Sequence, residues 1–145
     1  MNSSYSLYDY QLNAVEWMLK REKCTDTLFN GGILADEVGL GKTIMMTGVL
    51  LSNPKANTLI ILPKSLILQW KSELEKYTSK LDIVLPENDI INLNTNPDVY
   101  RVHIVSHSRF NKRGIDDPAK LSYCLAKWDR VVIDEAHIIK NKKSK

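Results

Sequence analysis

Two short segments of this chain carry residue types and spacings that can do chemistry together. The first is Gly39-Leu40-Gly41-Lys42-Thr43, and the second is Asp134-Glu135-Ala136-His137. The first reads as a phosphate-binding loop. Its glycines let backbone N–H groups turn inward on phosphates, and the helix N-terminus that follows adds a positive dipole end. Lys42 can reach β and γ oxygens, and the Thr43 hydroxyl can ligate Mg²⁺. The second places two carboxylates side by side. Asp134 would hold Mg²⁺, directly or through water, and Glu135 would orient and deprotonate an attacking water. His137, fourth in that motif, reads as a relay from the γ-phosphate towards a partner surface rather than as a metal ligand. The chemistry implied is hydrolysis of ATP with Mg²⁺.

The strict pattern G-x-x-x-x-G-K-[ST] is not met, because Asp36 stands where its first glycine would be. A glycine turn followed by a solvated lysine is the bland alternative. The acidic pair behind an apolar run argues against it, because the two segments are independent parts of one mechanism.

Elements must position these groups. Ile33-Leu34-Ala35 before the loop reads as a strand, and Ile44 to Leu51 after it as a helix, the context a phosphate loop requires. Val131-Val132-Ile133 reads as a buried parallel strand delivering Asp134 and Glu135 to a sheet's C-terminal edge, where doubly wound folds place ligands. Tyr8 to Glu22 has apolar residues near helical spacing at Leu12, Val15 and Leu19 and at Tyr8, Trp17 and Met18. Thr58 to Leu62 reads as a strand stopped by Pro63. Ser65 to Tyr77 reads as a helix with Ser65 as N-cap and Leu66, Leu68, Trp70, Leu74 and Tyr77 available for burial. Val102 to Val105 is a further strand, in which His103 alternates with apolar neighbours and reads as structural. Pro118 to Lys127 is a short helix, with Pro118 suited to a first turn. Between the Ser65–Tyr77 helix and the Val102–Val105 strand, Leu85 to Val99 is rich in Asn, Asp and Pro, with Ile83-Val84 and Ile90-Ile91 as candidate edge strands. Strands alternating with helices imply an α/β fold: a parallel sheet sandwiched between helices and joined by right-handed crossovers.

Composition bounds the rest. At 145 residues, with 43% hydrophobic and 26% charged residues, the chain is ordinary for a single globular domain, and residues 1–145 are read as one domain. Cys24 and Cys124 are isolated, which argues against a disulfide framework or zinc cluster and suits small buried side chains in a reducing compartment. No apolar run approaches a membrane span, and Met1-Asn2-Ser3-Ser4-Tyr5 carries no secretory pattern, so neither membrane insertion nor secretion is expected. The net charge is +3, but four of the 20 basic residues are Lys140, Lys142, Lys143 and Lys145; without them 16 face 17 acidic residues. Global charge therefore does not identify nucleic acid as a partner, and the terminal lysines read as a solvated or fraying end.

Taken in series, four motifs resemble the first lobe of the Swi/Snf-related helicase ATPases. They are Leu7-Tyr8-Asp9-Tyr10-Gln11-Leu12 with Trp17; Gly32 to Thr43; Leu62-Pro63-Lys64-Ser65-Leu66-Ile67-Leu68-Gln69-Trp70; and Val131 to Asn141. The resemblance spans residues 7 to 141. The Asp-Glu-x-Gly-Leu-Gly-Lys-Thr loop and the Lys-Asn after the acidic motif separate this family from the DEAD-box RNA helicases. The Gly-Gly-Ile-Leu-Ala lead-in and the Leu-Lys-Arg-Glu helix end are similar to the branch holding helicase-like transcription factor and the post-replication repair ATPases.

The resemblance implies a RecA-like P-loop NTPase lobe with ATP and Mg²⁺ as cofactors. It implies that Gln11 reads the adenine edge and that Tyr8, where the family commonly has Arg, leaves the adenine end bound differently. Lys64 and Ser65 would grip a DNA backbone phosphate, and Ser106-His107 falls at the second strand-contacting motif, where relatives usually show Thr-Thr-Tyr. Trp70 reads as core packing rather than base stacking. The implied function is the ATP-binding lobe of a DNA-dependent ATPase that translocates on duplex DNA to remodel chromatin, nucleosomes or other DNA-bound proteins, including in DNA repair. Such an enzyme needs a second RecA-like lobe with an arginine finger, and the Ser/Thr-Gly-Thr-Pro segment, neither of which is in this sequence. By itself the chain is expected to hydrolyse ATP very poorly. Two alternatives stay open: an RNA-directed or viral transcription-linked helicase, and a non-catalytic module that binds ATP or a partner. The resemblance implies a nuclear protein, or an intracellular one of viral origin.

Overall fold

A computed structural model describes residues 6–24, 30–37, 39–85, 91–111 and 118–138. The described residues fall into two compact units, Met1–Pro54 with Glu73–Thr78, and Lys55–Ser72 with Ser79–Lys145.

In the first unit, α1 (Asp9–Lys23) and α2 (Lys42–Ser52) pack around Val15, Met45 and Val49, with Leu7, Ala14, Met18, Leu19, Leu34 and Met46 closing over them. Spacing of four along each helix, Val15 with Leu19 and Met45 with Val49, puts these side chains on one stripe. The segment before the phosphate loop is not the strand its apolar residues predict. Ile33 is exposed, and residues 31–37 form no ladder. A strand needs a neighbour to pair its backbone groups, and this segment is held instead by side chains of α1. Arg21 Nε donates to the Gly31 carbonyl at 2.9 Å, and the Trp17 indole lies so close over Gly32 that a Cβ there would meet Cη2 at 2.6 Å.

The second unit is built on a four-stranded sheet with every pair parallel. Its strands are β1 (Asn57–Leu62), β2 (Leu81–Val84), β3 (Tyr100–Ser106) and β4 (Arg130–Ile133), in the order β2-β3-β1-β4. All six residues of β1 are buried, as expected of a central parallel strand. Register pairs Leu59 with His103 and with Val131, and Ile61 with Val105 and with Ile133. On the face these residues share, Leu59, Ile61 and Val105 pack against Tyr123 of α5 (Pro118–Leu125), with Ile91, Phe110 and Trp128 at the margin. That cover does not reach β4. Val131 and Ile133 are 51% and 45% exposed, so the buried strand read from the sequence is an edge strand among the described residues, with one apolar face open.

Three further expectations are corrected. Ser65 does not cap a helix; it sits inside a 3₁₀ turn, Lys64–Leu66, that follows Pro63 and leads into α3 (Ile67–Tyr77). Along α3, Trp70, Leu74 and Tyr77 are buried, but Leu68 is exposed because it points off their stripe. Cys24 is half-buried and Cys124 exposed, since α5 turns Tyr123 rather than its neighbour to the core. Among the described residues no helix is long and apolar enough to cross a membrane. The terminal lysines, Lys140 to Lys145, lie outside the described residues, as does Ile90.

The Asn-rich stretch before β3 is held by amide side chains, that of Asn57 at the start of β1 and its own. Asn57 Nδ2 donates to the Asn94 carbonyl at 3.0 Å, and Asn94 N–H donates back to Asn57 Oδ1 at 2.6 Å. Asn94 Nδ2 in turn reaches the carbonyls of Asn96 and Val99. Such local amide bonds are why Asn favours turns over strands.

Candidate functional site

The glycine loop belongs to the first unit. Gly39 and Gly41 have φ of 91° and 82°, in the left-handed region that L side chains rarely adopt. Gly41 is required twice over. It is the residue from which α2 departs, and a Cβ on it would meet Gln11 Nε2 at 2.7 Å. Lys42 is the first residue of α2, and its Nζ donates to the carbonyls of Asp36 at 3.0 Å and Glu37 at 2.9 Å, spanning the loop. An ammonium held across a glycine turn at the start of an 11-residue helix is a ready partner for a phosphate oxygen. Thr43 follows on the first turn, and its carbonyl accepts from the buried Thr47 hydroxyl at 2.9 Å.

Gln11 and Tyr8 lie beside this loop. Gln11 is buried, and both ends of its carboxamide are engaged. Oε1 accepts from the Tyr8 N–H at 3.1 Å, and Nε2 donates to the Leu40 carbonyl at 3.2 Å. The Tyr8 ring stacks parallel on Tyr10, with centroids 5.9 Å apart and planes 7° from parallel. Tyr10 Oη in turn makes a long 3.4 Å contact with the Leu40 carbonyl.

The acidic motif belongs to the second unit. β4 ends at Ile133, and the Asp134 N–H continues the pairing by donating to the Ile61 carbonyl at 2.9 Å. Both Asp134 oxygens are held: Oδ1 accepts from the Glu135 N–H at 2.9 Å, and Oδ2 from Trp70 Nε1 at 2.9 Å. Glu135 has φ of 51°, the one non-glycine residue at positive φ among those described. Strain of this kind persists only where surroundings enforce it, and it gathers at functional sites. His137 Nδ1 lies 3.1 Å from Glu135 Oε2, so the motif's last residue braces its second carboxylate.

A third cluster also lies in the second unit. Lys64, Ile67, Leu85, Ile104, Val105, Ser106, Ser108 and Arg109 line an open groove of about 350 Å³. Lys64 and Ser106 were expected from the sequence to serve one purpose, and the groove brings them together. Ser65, on the same 3₁₀ turn, is exposed but is not among the lining residues. Sequence reasoning missed Ser108 and Arg109. The polar run Ser106-His107-Ser108-Arg109 directly after a buried strand was the available signal. Ser106 Oγ and Ser108 Oγ are 2.7 Å apart, and the Arg109 guanidinium sits 5.3 Å from the Tyr123 ring centroid.

Sequence reasoning also missed the part played by Trp70. Its burial was expected; its bond to Asp134 was not. Core packing and hydrogen bonding are compatible in an indole, which usually finds a partner for its N–H when buried.

A four-stranded all-parallel sheet with helices is the core of a RecA-like α/β fold. The chain belongs to the SNF2-related family, whose model matches residues 10–145. It is 43% identical over 76 aligned positions to the ATP-dependent helicase rhp16 of Schizosaccharomyces pombe, covering 52% of this chain and 8% of that protein. It is 32% identical over 152 positions to the ISWI chromatin-remodeling complex ATPase ISW2 of Saccharomyces cerevisiae, covering 97% of this chain and 13% of that protein. Among solved structures, the Sulfolobus solfataricus SWI2/SNF2 ATPase core in complex with dsDNA aligns with a TM-score of 0.70 at 28% identity, over 94% of this chain and 27% of that one. The chain thus spans a small part of the length of these relatives.

Proposed function

We propose that this chain is the ATP-binding lobe of a DNA-dependent ATPase that moves along duplex DNA and remodels chromatin or other protein–DNA complexes. The observation that carries this reading is the Lys42 ammonium held across a loop whose two glycines take positive φ at the start of α2. Phosphates would lie against the N–H groups at Gly39 to Thr43, with Lys42 on the β and γ oxygens and Tyr8 and Gln11 at the base end.

The donor set fits Mg²⁺. A first-turn threonine hydroxyl and a carboxylate fixed at both oxygens are hard oxygen ligands of the kind that ion takes alongside phosphates and water. The family resemblance assigns it to Thr43 and to Asp134, each in its own unit, and when bound it would neutralise charge on the transferred phosphoryl group. Glu135, braced by His137, would orient the attacking water and accept its proton.

DNA would be gripped through its backbone. Lys64, Ser65 and Ser106 are the residues that the family resemblance assigns to phosphate contacts, and the groove adds Ser108 and Arg109 to the same polar surface. Cations and hydroxyls on phosphate carry no sequence information, which is what movement along DNA demands. Hydrolysis would need a second lobe. An arginine supplied from it is worth about 10³ to 10⁵ in rate in related phosphoryl transfers, so the 145-residue chain by itself would turn over ATP very slowly.

The test is ATP turnover by a two-lobe parent protein with no nucleic acid, with duplex DNA and with RNA. Stimulation by duplex DNA, lost in Glu135→Gln, is the expected result. Stimulation by RNA alone would favour an RNA-directed helicase, and no turnover under any condition would favour a non-catalytic module.

A further inference from the structure

Gly32 has no backbone reason to be glycine. Gly31 has φ of 137°, but Gly32 lies outside the left-handed region, in a conformation open to L side chains. What forbids a side chain there is Trp17. A Cβ at Gly32 would meet the indole at Cη2, 2.6 Å away, and at Cζ2, 3.0 Å away, and its three nearest neighbours all belong to that ring. One turn further along α1, Arg21 Nε donates to the Gly31 carbonyl at 2.9 Å. Spacing of four puts Trp17 and Arg21 on one stripe of α1, apart from the stripe of Val15 and Leu19 that packs with α2. Trp17 is 40% exposed. An indole serving the core alone would be covered; this one stays half in solvent and presses its edge on one glycine.

The backbone held in this way leads to the site. From Gly32 the chain runs to Leu34, which packs against Val15, Met45 and Val49, and then to the Asp36 and Glu37 carbonyls, which accept from Lys42 Nζ at 3.0 Å and 2.9 Å. The segment is thus pinned at its start by α1, in its middle by Leu34 and at its end by the ammonium. Little slack is left between, so the place of Gly32 bears on where those carbonyls sit. A triphosphate must draw Nζ from them towards its own oxygens, and groups at a binding site hold their geometry only as well as the residues behind them do.

We propose that Trp17, with Arg21 beside it, is a positioning residue for the triphosphate: α1 fixes the backbone at Gly31-Gly32 and, through it, the carbonyls that present the Lys42 ammonium. Trp17 acts through this backbone and touches no phosphate. The inference rests on the nucleotide reading above and extends it to the second half of α1.

The experiment is calorimetric binding of ATP and of inorganic triphosphate, each with Mg²⁺, to the 145-residue chain and to Gly32→Ala, Trp17→Ala, Trp17→Phe, the double variant Gly32→Ala with Trp17→Phe, and Lys42→Ala. Circular dichroism melts fix a temperature at which each variant is folded. A phenyl ring is shorter than an indole, so Trp17→Phe gives a Cβ at position 32 its space and still covers the backbone. The expected result is that Gly32→Ala and Trp17→Ala each weaken ATP and inorganic triphosphate alike by roughly five- to fiftyfold, while Trp17→Phe and the double variant bind within about threefold of the parent. If Gly32→Ala does not fold, Trp17→Ala against Trp17→Phe carries the comparison alone. Lower melting temperatures with unchanged affinities, a double variant as weak as Gly32→Ala, or Trp17→Phe as weak as Trp17→Ala would overturn the positioning role. A loss confined to ATP would place the effect at the base end and overturn it too. In each of these cases binding that is lost in Lys42→Ala leaves the nucleotide reading standing. If Lys42→Ala binds ATP as the parent does, or if the parent binds neither ligand, the nucleotide reading falls and this inference with it.

Discussion

Trp70 Nε1 donates a hydrogen bond to Asp134 Oδ2 at 2.9 Å across 64 residues of sequence, so a buried indole on α3 sets the orientation of the acidic motif's first carboxylate. The other oxygen is fixed by the Glu135 N–H. A carboxylate held this way needs little reorganisation to serve as a metal ligand, and outer partners of this kind commonly tune affinity for the ion.

Trp70→Phe keeps most of the packing and removes that bond. Hydrogen bonds to charged groups are worth about 1.5–3 kcal/mol when buried, and Asp134 is half-buried, so the expected loss is about 1–2 kcal/mol in urea denaturation. In a two-lobe parent the same variant should need more Mg²⁺ for half-maximal ATP turnover. Unchanged stability together with an unchanged Mg²⁺ requirement would contradict the positioning role.

Glu135 sits at φ 51°, where a non-glycine side chain costs about 1–2 kcal/mol. Glu135→Gly should therefore leave stability unchanged or raise it by up to about 1 kcal/mol, since glycine's greater freedom in the unfolded chain offsets part of the relief. Turnover in the two-lobe parent should vanish. A denaturation midpoint clearly below that of the parent would show that the backbone there is not strained.

His103 titrates in the fold's interior. It is fully buried against the Trp128 ring edge, 5.1 Å between centroids, and its ring nitrogens have no partner at hydrogen-bonding geometry among the described residues. Burial pushes its pKa down, the Arg101 guanidinium pushes the same way, and the Asn92 backbone and Asp82 oppose part of the shift. The folded state thus binds the proton less readily than the unfolded chain, whose histidines titrate near about 6.5. Stability is greatest above that pH and falls as pH drops through it towards the lower folded pKa. His103→Leu should flatten this part of the curve, measured as the difference between the two proteins' unfolding free energies from about pH 7.5 to 5. Parallel curves would contradict it.

Lys64 and Arg109 line one groove with Ser106 and Ser108. If the groove holds a DNA phosphate, Lys64→Ala should weaken binding to duplexes of unrelated sequence by a similar factor and lower the salt dependence of log K by about one ion. An effect confined to one sequence, or an unchanged slope, would move the DNA contact elsewhere.

Legibility followed locality. The glycine turn and the helix that leaves it could be read because glycines at positive φ and the apolar residues after them act within a few positions. α1 and β1 could be read because the spacing of Val15 and Leu19, or the unbroken run Thr58 to Leu62 before Pro63, declares the element within a few positions. Ile33-Leu34-Ala35 could not, because whether an apolar triplet becomes a strand depends on a neighbour remote in sequence, and here side chains of α1 take hold of its backbone instead. Val131 and Ile133 failed for the related reason that burial of an edge strand depends on what covers it. Trp70 was legible as a core residue but not as a donor, since Asp134 lies far along the chain. Arg109 was passed over because a basic residue after a strand is usually only solvated.

MgATP binding by calorimetry to this chain, into the millimolar range and with Lys42→Ala beside it, tests the central claim most directly. The account expects binding by the parent that is lost in Lys42→Ala while the fold survives, placing the phosphates on the loop that begins α2. Equal binding by both proteins, or none by either, would contradict the assignment of this lobe as a nucleotide site.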